Sequence, residues 1–274
     1  MNNPITVGIT GTTGSMGSQI LLHILNNLKE VKVRLLFHSE KNLSSSLKRA
    51  ISKNKERVTK IFGDFTNISV CQELVKGCDY LIHCGAIIPP KSDHNPQRAF
   101  QVNFGGTKNI VDSIKKINPE IRFVYISTVA VYGDRNYKHL WARMGDPVFS
   151  TPYDYYSASK IKAERYVLES DLPYFVVLRQ TGVLHPKFFS GNLNDGLMFH
   201  TMFNGPLEWC TDNDSGLLIQ HLIEKDSQNL LKGFWKKDYN ISGGDQCRET
   251  GYETFSHGFA LMGAKPEQFF NPNW

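Results

Sequence analysis

The sequence predicts a doubly wound α/β fold, a parallel sheet with helices on both faces. Three observations predict it. Short apolar runs alternate with helix-sized segments from Ile5 to Leu178. These runs lack polar alternation, as expected of strands buried on both sides. The first run also passes directly into a glycine-rich turn that opens a helical pattern.

In chain order, Ile5–Thr10 reads as the first strand. Ile20, Leu21, Ile24, Leu25 and Leu28 then recur at helical spacing. Val31–Phe37 and Val58–Phe62 are the next strands, separated by a polar stretch rich in Ser and Lys. A helix-sized segment, Ser69–Lys76, precedes the strand Asp79–His83. A long helix is expected from Pro96 to Ile117, then a strand at Ile121–Ser127, a helix at Tyr156–Glu169 and a strand at Tyr174–Leu178. Beyond residue 182 the rhythm loosens. A helix at Gly216–Glu224 and a strand at Tyr239–Ser242 are the clearest elements there. We therefore divide the chain into a dinucleotide-binding region, 1–182, and a small irregular substrate-binding or lid region, 183–274, some of whose elements return to the sheet. Ligands of such sheets bind beyond the carboxyl ends of the strands, which such a lid would cover. No closing element follows Asn273-Trp274, which suggests a shortened C-terminus.

Composition narrows the classes. The 274 residues, 41% hydrophobic and 21% charged, with mean hydropathy −0.32, exclude a disordered or fibrous chain. No apolar run reaches a membrane span, and the start lacks the basic and apolar stretches of a signal peptide. A cytoplasmic location is expected. The five cysteines, Cys71, Cys78, Cys84, Cys210 and Cys247, form no Cys-x-x-Cys pair and read as reduced thiols. The nine scattered histidines predict no metal site, and a net charge of +5 without a dense basic run does not argue for nucleic acid.

The turn Thr10-Gly11-Thr12-Thr13-Gly14-Ser15-Met16-Gly17 stands between strand and helix. Glycines at these offsets allow a tight turn and close backbone approach to a phosphate, with helix amides facing the anion. The residue that reads the adenosine ribose is expected at the tip of the second strand. That tip holds His38, with Lys41 and Lys48 nearby and Glu40 further along the loop. No acid at the tip would repel a 2′-phosphate, which favours NADP(H) over NAD(H). The alternative is that His38 is only an exposed loop residue.

Tyr156 and Lys160 lie four residues apart at the start of a predicted helix and so share a face. A neighbouring cation favours the phenolate and brings its pKa toward the working range. The spacing alone is weak, since a surface Tyr and a solvated Lys would show it too.

The motifs form a series: Thr-Gly-x-x-Gly-x-x-Gly, Gly63-Asp64, His83-Cys84-Gly85-Ala86, Val102-Asn103 to Thr107-Lys-Asn109, Tyr125-Ile-Ser127-Thr128 to Tyr132-Gly133, and Tyr156-x-x-x-Lys160. In this order they resemble the extended short-chain dehydrogenase/reductases, the NAD(P)-dependent epimerase/dehydratase family, and imply its Rossmann domain. The resemblance returns weakly at Gly205–Trp209 and Tyr239–Gly244. It implies that Tyr156 gives or takes a proton at the substrate oxygen, that Lys160 lowers the phenol's pKa and bonds the nicotinamide ribose, and that Thr128 hydrogen-bonds the reacting oxygen. It further implies that Asp64 and Phe65 hold the adenine, Gly85 and Ala86 line the ribose and phosphates, Asn103 packs near the cofactor, and Thr181 and Val183 flank the nicotinamide. A homodimer through the long helix and the Tyr helix follows from the same resemblance.

Three departures bear on the reaction. Val129-Ala130 stand where the 4,6-dehydratase branch places Asp-Glu. Gly182 replaces the Asn that meets a sugar-nucleotide diphosphate. No arginine occurs between Arg179 and Arg248 to clamp such a diphosphate. The leading expectation is therefore hydride transfer between NADP(H) and a secondary alcohol or carbonyl compound, relatively apolar. The alternatives are a nucleotide-sugar epimerase and a non-catalytic NAD(P)-sensing protein. Cys84 and His83 read as strand-end packing residues. Phe188, Phe189, Phe199 and Phe203 read equally as an apolar pocket or as core.

Overall fold

The computed structural model describes residues 4–41, 43–186 and 203–270. Seven parallel strands form the main sheet in the order β3-β2-β1-β4-β5-β6-β9. They are β1 (Thr6–Thr10), β2 (Lys32–Phe37), β3 (Val58–Phe62), β4 (Tyr80–His83), β5 (Arg122–Thr128), β6 (Phe175–Gln180) and β9 (Lys237–Ile241). The order reverses between β1 and β4, which pair in parallel with Val7 opposite Tyr80 and Thr10 opposite His83. Such a switch opens a crevice at the carboxyl ends of both strands.

The period of two along the strands divides the core between the two faces. Val176 and Leu178 of β6 pack with Ile9, Leu25, Leu35 and Val124 on one side. Phe175 and Val177 pack with Leu74, Ile110, Phe123 and Val167 on the other. Helix α1 (Ser15–Asn27) buries Ile20, Leu21, Ile24 and Leu25 on the first face. A buried side chain of this size contributes roughly 1.5–3 kcal/mol. On the second face lie α3 (Ile68–Val75), α6 (Thr107–Ile117) and α7 (Tyr155–Leu168).

Before residue 182, two elements differ from expectation. The polar stretch after β2 contains a helix, α2 (Ser45–Lys53), because Ser44 caps it and Leu47, Ala50 and Ile51 share a buried face. The long helix is not uniform. It consists of α4 (Lys91–His94), α5 (Pro96–Ala99), a π-helical stretch Phe100–Gly106, and α6. The wider turn brings Gly106 against the Phe65 ring, where a Cβ would come within 2.2 Å.

In the last third, β7 (Gly182–Leu184), β8 (Pro206–Thr211) and β10 (Arg248–Thr250) form a second sheet, with β7 parallel and β10 antiparallel to β8. Helix α8 (Asp212–Ser227), longer than expected, packs on α1, where His23 and Asn27 bond to Gln220 at 3.0 and 2.8 Å. Helix α9 (Gly251–Leu261) follows β10. Phe203 packs in the tail against Tyr252, Phe255 and Phe270. Phe188, Phe189 and Phe199 lie outside the described residues. No helix among the described residues is long and apolar enough to cross a membrane.

Candidate active site

A cleft of about 380 Å³ lies at the switch point, lined by Gly11, Thr13, Gly14, His38, Asp64, Phe65, Gly85 and Ala86. Eight residues expected to meet the cofactor thus share one wall. Val102 of the Val102-Asn103 motif also lines it, as does Arg98, which the sequence did not single out. Arg98 lies within the predicted long helix, where nothing local distinguishes it from a solvated charge.

The glycine turn fits a phosphate. Gly11 has φ +74°, and a Cβ there would stand 2.7 Å from the Gly85 amide nitrogen. At Gly17, in the first turn of α1, a Cβ would stand 2.3 Å from the Gly11 carbonyl. Chain and helix therefore meet closely enough for main-chain amides to reach an anion. No side chain caps α1, so its first-turn donors at Ser15, Met16 and Gly17 remain available to one.

Asp64 accepts bonds from Thr66 N and from Arg98 Nη2, both at 2.8 Å. Burial opposes its charge, but these bonds hold the carboxyl below its ordinary pKa. Glu40 is ion-paired with Lys60 at 2.8 Å. Asn103 is buried, and its amide clamps Ile87 N (2.7 Å) and Ile87 O (2.9 Å) and donates to Ser159 Oγ at 2.9 Å. It shapes the loop after Ala86 from behind the wall. Thr181 and Val183 lie at the start of the second sheet. Thr181 N donates to Ile241 O at 3.0 Å, and Val183 pairs with Cys210.

Thr128 ends β5, where its Oγ1 accepts from Ala130 N at 3.2 Å, and Tyr156 lies in the first turn of α7, near enough for the Thr128 hydroxyl to act on its phenol. Lys160, one turn further on, is buried. Its Nζ donates to the Ile126 carbonyl at 2.6 Å and lies 4.2 Å from the Tyr125 ring centroid. The expected lowering of the phenol's pKa by this lysine is not what the geometry produces. Burial pushes Tyr156 up to about 12; the Thr128 hydroxyl works downward and Asp154 upward. Burial likewise pulls Lys160 down to about 7, against the opposing fields of Glu164 and Cys84. Cys84 lines the cleft and is pushed up by burial to about 12, which makes it a protonated thiol near neutral pH.

Beneath this trio lies a charged array that the sequence did not reveal. Glu164 accepts from Arg179 Nε at 3.0 Å, from Arg179 Nη2 at 2.5 Å and from Ser127 Oγ at 2.6 Å. Arg179 also pairs with Asp238 at 2.7 Å and donates to the Tyr132 hydroxyl at 2.7 Å, which in turn donates to Asn240. Among the described residues, no cluster of His, Cys, Asp and Glu could hold a metal ion.

A parallel sheet that reverses at a glycine turn opening a helix is a dinucleotide-binding architecture. The chain belongs to the NAD dependent epimerase/dehydratase family, which it matches over residues 7–198. It is 32% identical over 183 residues to a 3 beta-hydroxysteroid dehydrogenase/Delta 5-->4-isomerase of Mycobacterium tuberculosis, covering 63% of this chain and 46% of that protein. It is 29% identical over 131 residues to a UDP-glucose 4-epimerase of Rickettsia bellii, covering 46% of this chain and 38% of that protein. The chain thus spans less than half the length of these relatives. The fold is shared with the NAD complex of dTDP-glucose 4,6-dehydratase from Bacillus anthracis, at TM-score 0.74, 19% identity, and coverage of 96% of this chain and 83% of that one.

Proposed function

We propose that this chain carries the cofactor-binding and proton-transfer machinery of an NADP(H)-dependent oxidoreductase acting on a secondary alcohol or carbonyl compound. The observation that carries the reading is the placement of Thr128 at the end of β5 beside Tyr156, one helical turn from buried Lys160, whose charge acts on Cys84 in the cleft wall. A nicotinamide bound there would give or take the hydride. The chain's own groups handle the oxygen and the proton. Tyr156, held protonated by burial, is a proton donor toward a carbonyl oxygen, and Thr128 donates a second hydrogen bond to the same atom. In the oxidative direction the phenol must lose its proton against the burial that holds it protonated.

NADP(H) is favoured because His38 and Arg98 both line the cleft. The nearby carboxylates are engaged: Glu40 with Lys60 and Asp64 with Arg98. Paired in this way, Arg98 offsets the Asp64 charge in the cleft wall, so that wall presents no uncompensated anion to a 2′-phosphate. An apolar substrate is favoured by the loops that leave β4 and β5, where Ile88 is 58% and Phe149 48% exposed. Arg248 is stacked on Trp141 and ion-paired with Glu208 and Asp245, which leaves it committed elsewhere than to a sugar diphosphate. A homodimer through α6 and α7 belongs to the same reading and rests on the resemblance.

The test is turnover of NADPH with a panel of ketones and aldehydes. We expect Tyr156→Phe to lose roughly 10²–10⁴-fold in rate while still binding NADPH. Unchanged turnover in that variant would sink the reading. A melting shift with UDP- or dTDP-sugars and none with apolar carbonyl compounds would replace the substrate class.

A further inference from the structure

Lys160 sits in a pocket with little to balance its charge. Around it are Glu164 on α7, one turn beyond it as Tyr156 is one turn before, His83 at the end of β4, Cys84 just after it, and the Tyr125 ring and Ile126 carbonyl of β5. Only Glu164 among these is an anion at neutral pH. It stands four residues from Lys160 on the same helix, and residues at that spacing share a helical face. Both side chains are buried, at 2% and 3% exposure. Glu164 is not free to move toward the lysine. Both of its oxygens are held, by Arg179 of β6 and by Ser127, the residue before Thr128. Arg179 is in turn neutralised from the far side by Asp238 of β9.

We propose that Glu164 is a positioning residue: it supplies the fixed counter-charge of Lys160 and, through Ser127, locks the Thr128 end of β5 against the helix that carries Tyr156. The four charges Lys160, Glu164, Arg179 and Asp238 sum to zero within the protein. Removing the inner anion leaves two buried cations facing one partly exposed carboxylate. A charge of opposite sign within about 4–6 Å favours the ionised form of its neighbour by about one pH unit or more, and Glu164, one turn along the same face, acts on Lys160 in that direction. The loss of Glu164 therefore discharges Lys160 at a pH where the native protein keeps it charged.

This inference rests on the catalytic role proposed for Lys160, but its test does not require turnover. The protein is labelled with ¹³C at the lysine ε-carbons, and the Lys160 resonance, assigned by its loss in Lys160→Arg, is titrated without cofactor. The native midpoint is expected near 7. Glu164→Gln, which keeps shape and hydrogen bonding but not charge, is expected to lower it by about one pH unit. Asp238→Asn, which disturbs the same array from its outer end, is expected to leave it in place. Should Glu164→Gln fail to fold, Glu164→Asp, which withdraws the carboxylate by one methylene, is expected to give a smaller downward shift. An unmoved midpoint in the Glu164 variant that folds overturns the proposal, as does an equal shift in Asp238→Asn. A shifted midpoint in a protein that turns over no carbonyl compound counts instead against the function proposed above.

Discussion

The ammonium of Lys160 donates to the Ile126 carbonyl, two residues before Thr128, at 2.6 Å. The bond ties the cation to the strand that delivers the Thr128 hydroxyl. Burying this amine opposes its charge, so its folded pKa, about 7, lies below the ordinary 10.5. The unfolded chain therefore binds the extra proton between these values. This group's contribution to stability falls as pH drops from 10.5 to about 7 and is constant below. Lys160→Met should lose turnover, yet its stability relative to the native protein should be more favourable at pH 7 than at pH 10. Urea midpoints at the two pH values check this; a relative stability independent of pH contradicts the buried ammonium.

His83 gives the opposite end of the pH scale. Its Nδ1 lies 2.7 Å from Thr10 Oγ1 and its Nε2 3.1 Å from Thr107 Oγ1, which joins β1, β4 and α6. Burial, helped by the Lys160 charge, pulls its pKa to about 3. Between about 6.5 and 3 the unfolded state takes up a proton that the folded state refuses, so stability falls with acid at up to about 1.4 kcal/mol per pH unit. Melting across this range should show a shallower acid slope in His83→Asn than in the native protein.

Gly11→Ala should destabilise the protein and abolish nucleotide binding together. The new methyl would have to occupy a left-handed backbone position against the Gly85 main chain. The backbone strain alone costs about 1–2 kcal/mol. Thermal melting with and without NADPH separates the two effects: the variant should melt lower and gain nothing from the nucleotide.

His38 stands at the tip of β2, in the cleft wall. An acid placed there would accept from a ribose 2′-hydroxyl and repel a 2′-phosphate. His38→Asp should weaken NADPH by about tenfold or more, a change of roughly 1.4 kcal/mol, and improve NADH. Fluorescence titration with both nucleotides checks the order; native protein that already prefers NADH would remove the basis for the NADP(H) preference.

The order of strands, the glycine turn and the helix of Tyr156 were legible because each rests on neighbours in sequence. Strands buried on both faces read as unbroken apolar runs, and Tyr156 and Lys160 are joined by one helical turn. Glu164 sits at the same offset from Lys160, but a glutamate on a helix is ordinarily solvated. Only the fold brings Arg179 and Ser127 to cover it. Helix α2 was hidden because its apolar face comprises just Leu47, Ala50 and Ile51 among polar residues, though the Ser44 cap was a usable signal. The pairing of Val183 with Cys210 spans chain that carries no strand signature of its own. The direction of the Tyr156 shift was misjudged because spacing reports proximity and says nothing of burial.

Strand β9 joins the sheet from the far side of the chain, pairing along β6 from Val176↔Lys237 to Gln180↔Ile241. A nascent polypeptide that has emerged only through β6 presents that strand as a bare edge, with a row of unpaired amides and carbonyls. It also holds Arg179 without Asp238, and Tyr132 without Asn240. Until the last third of the chain arrives to cap it, the growing molecule exposes a template for aggregation, so the late segment guards the nucleotide-binding sheet as well as completing it.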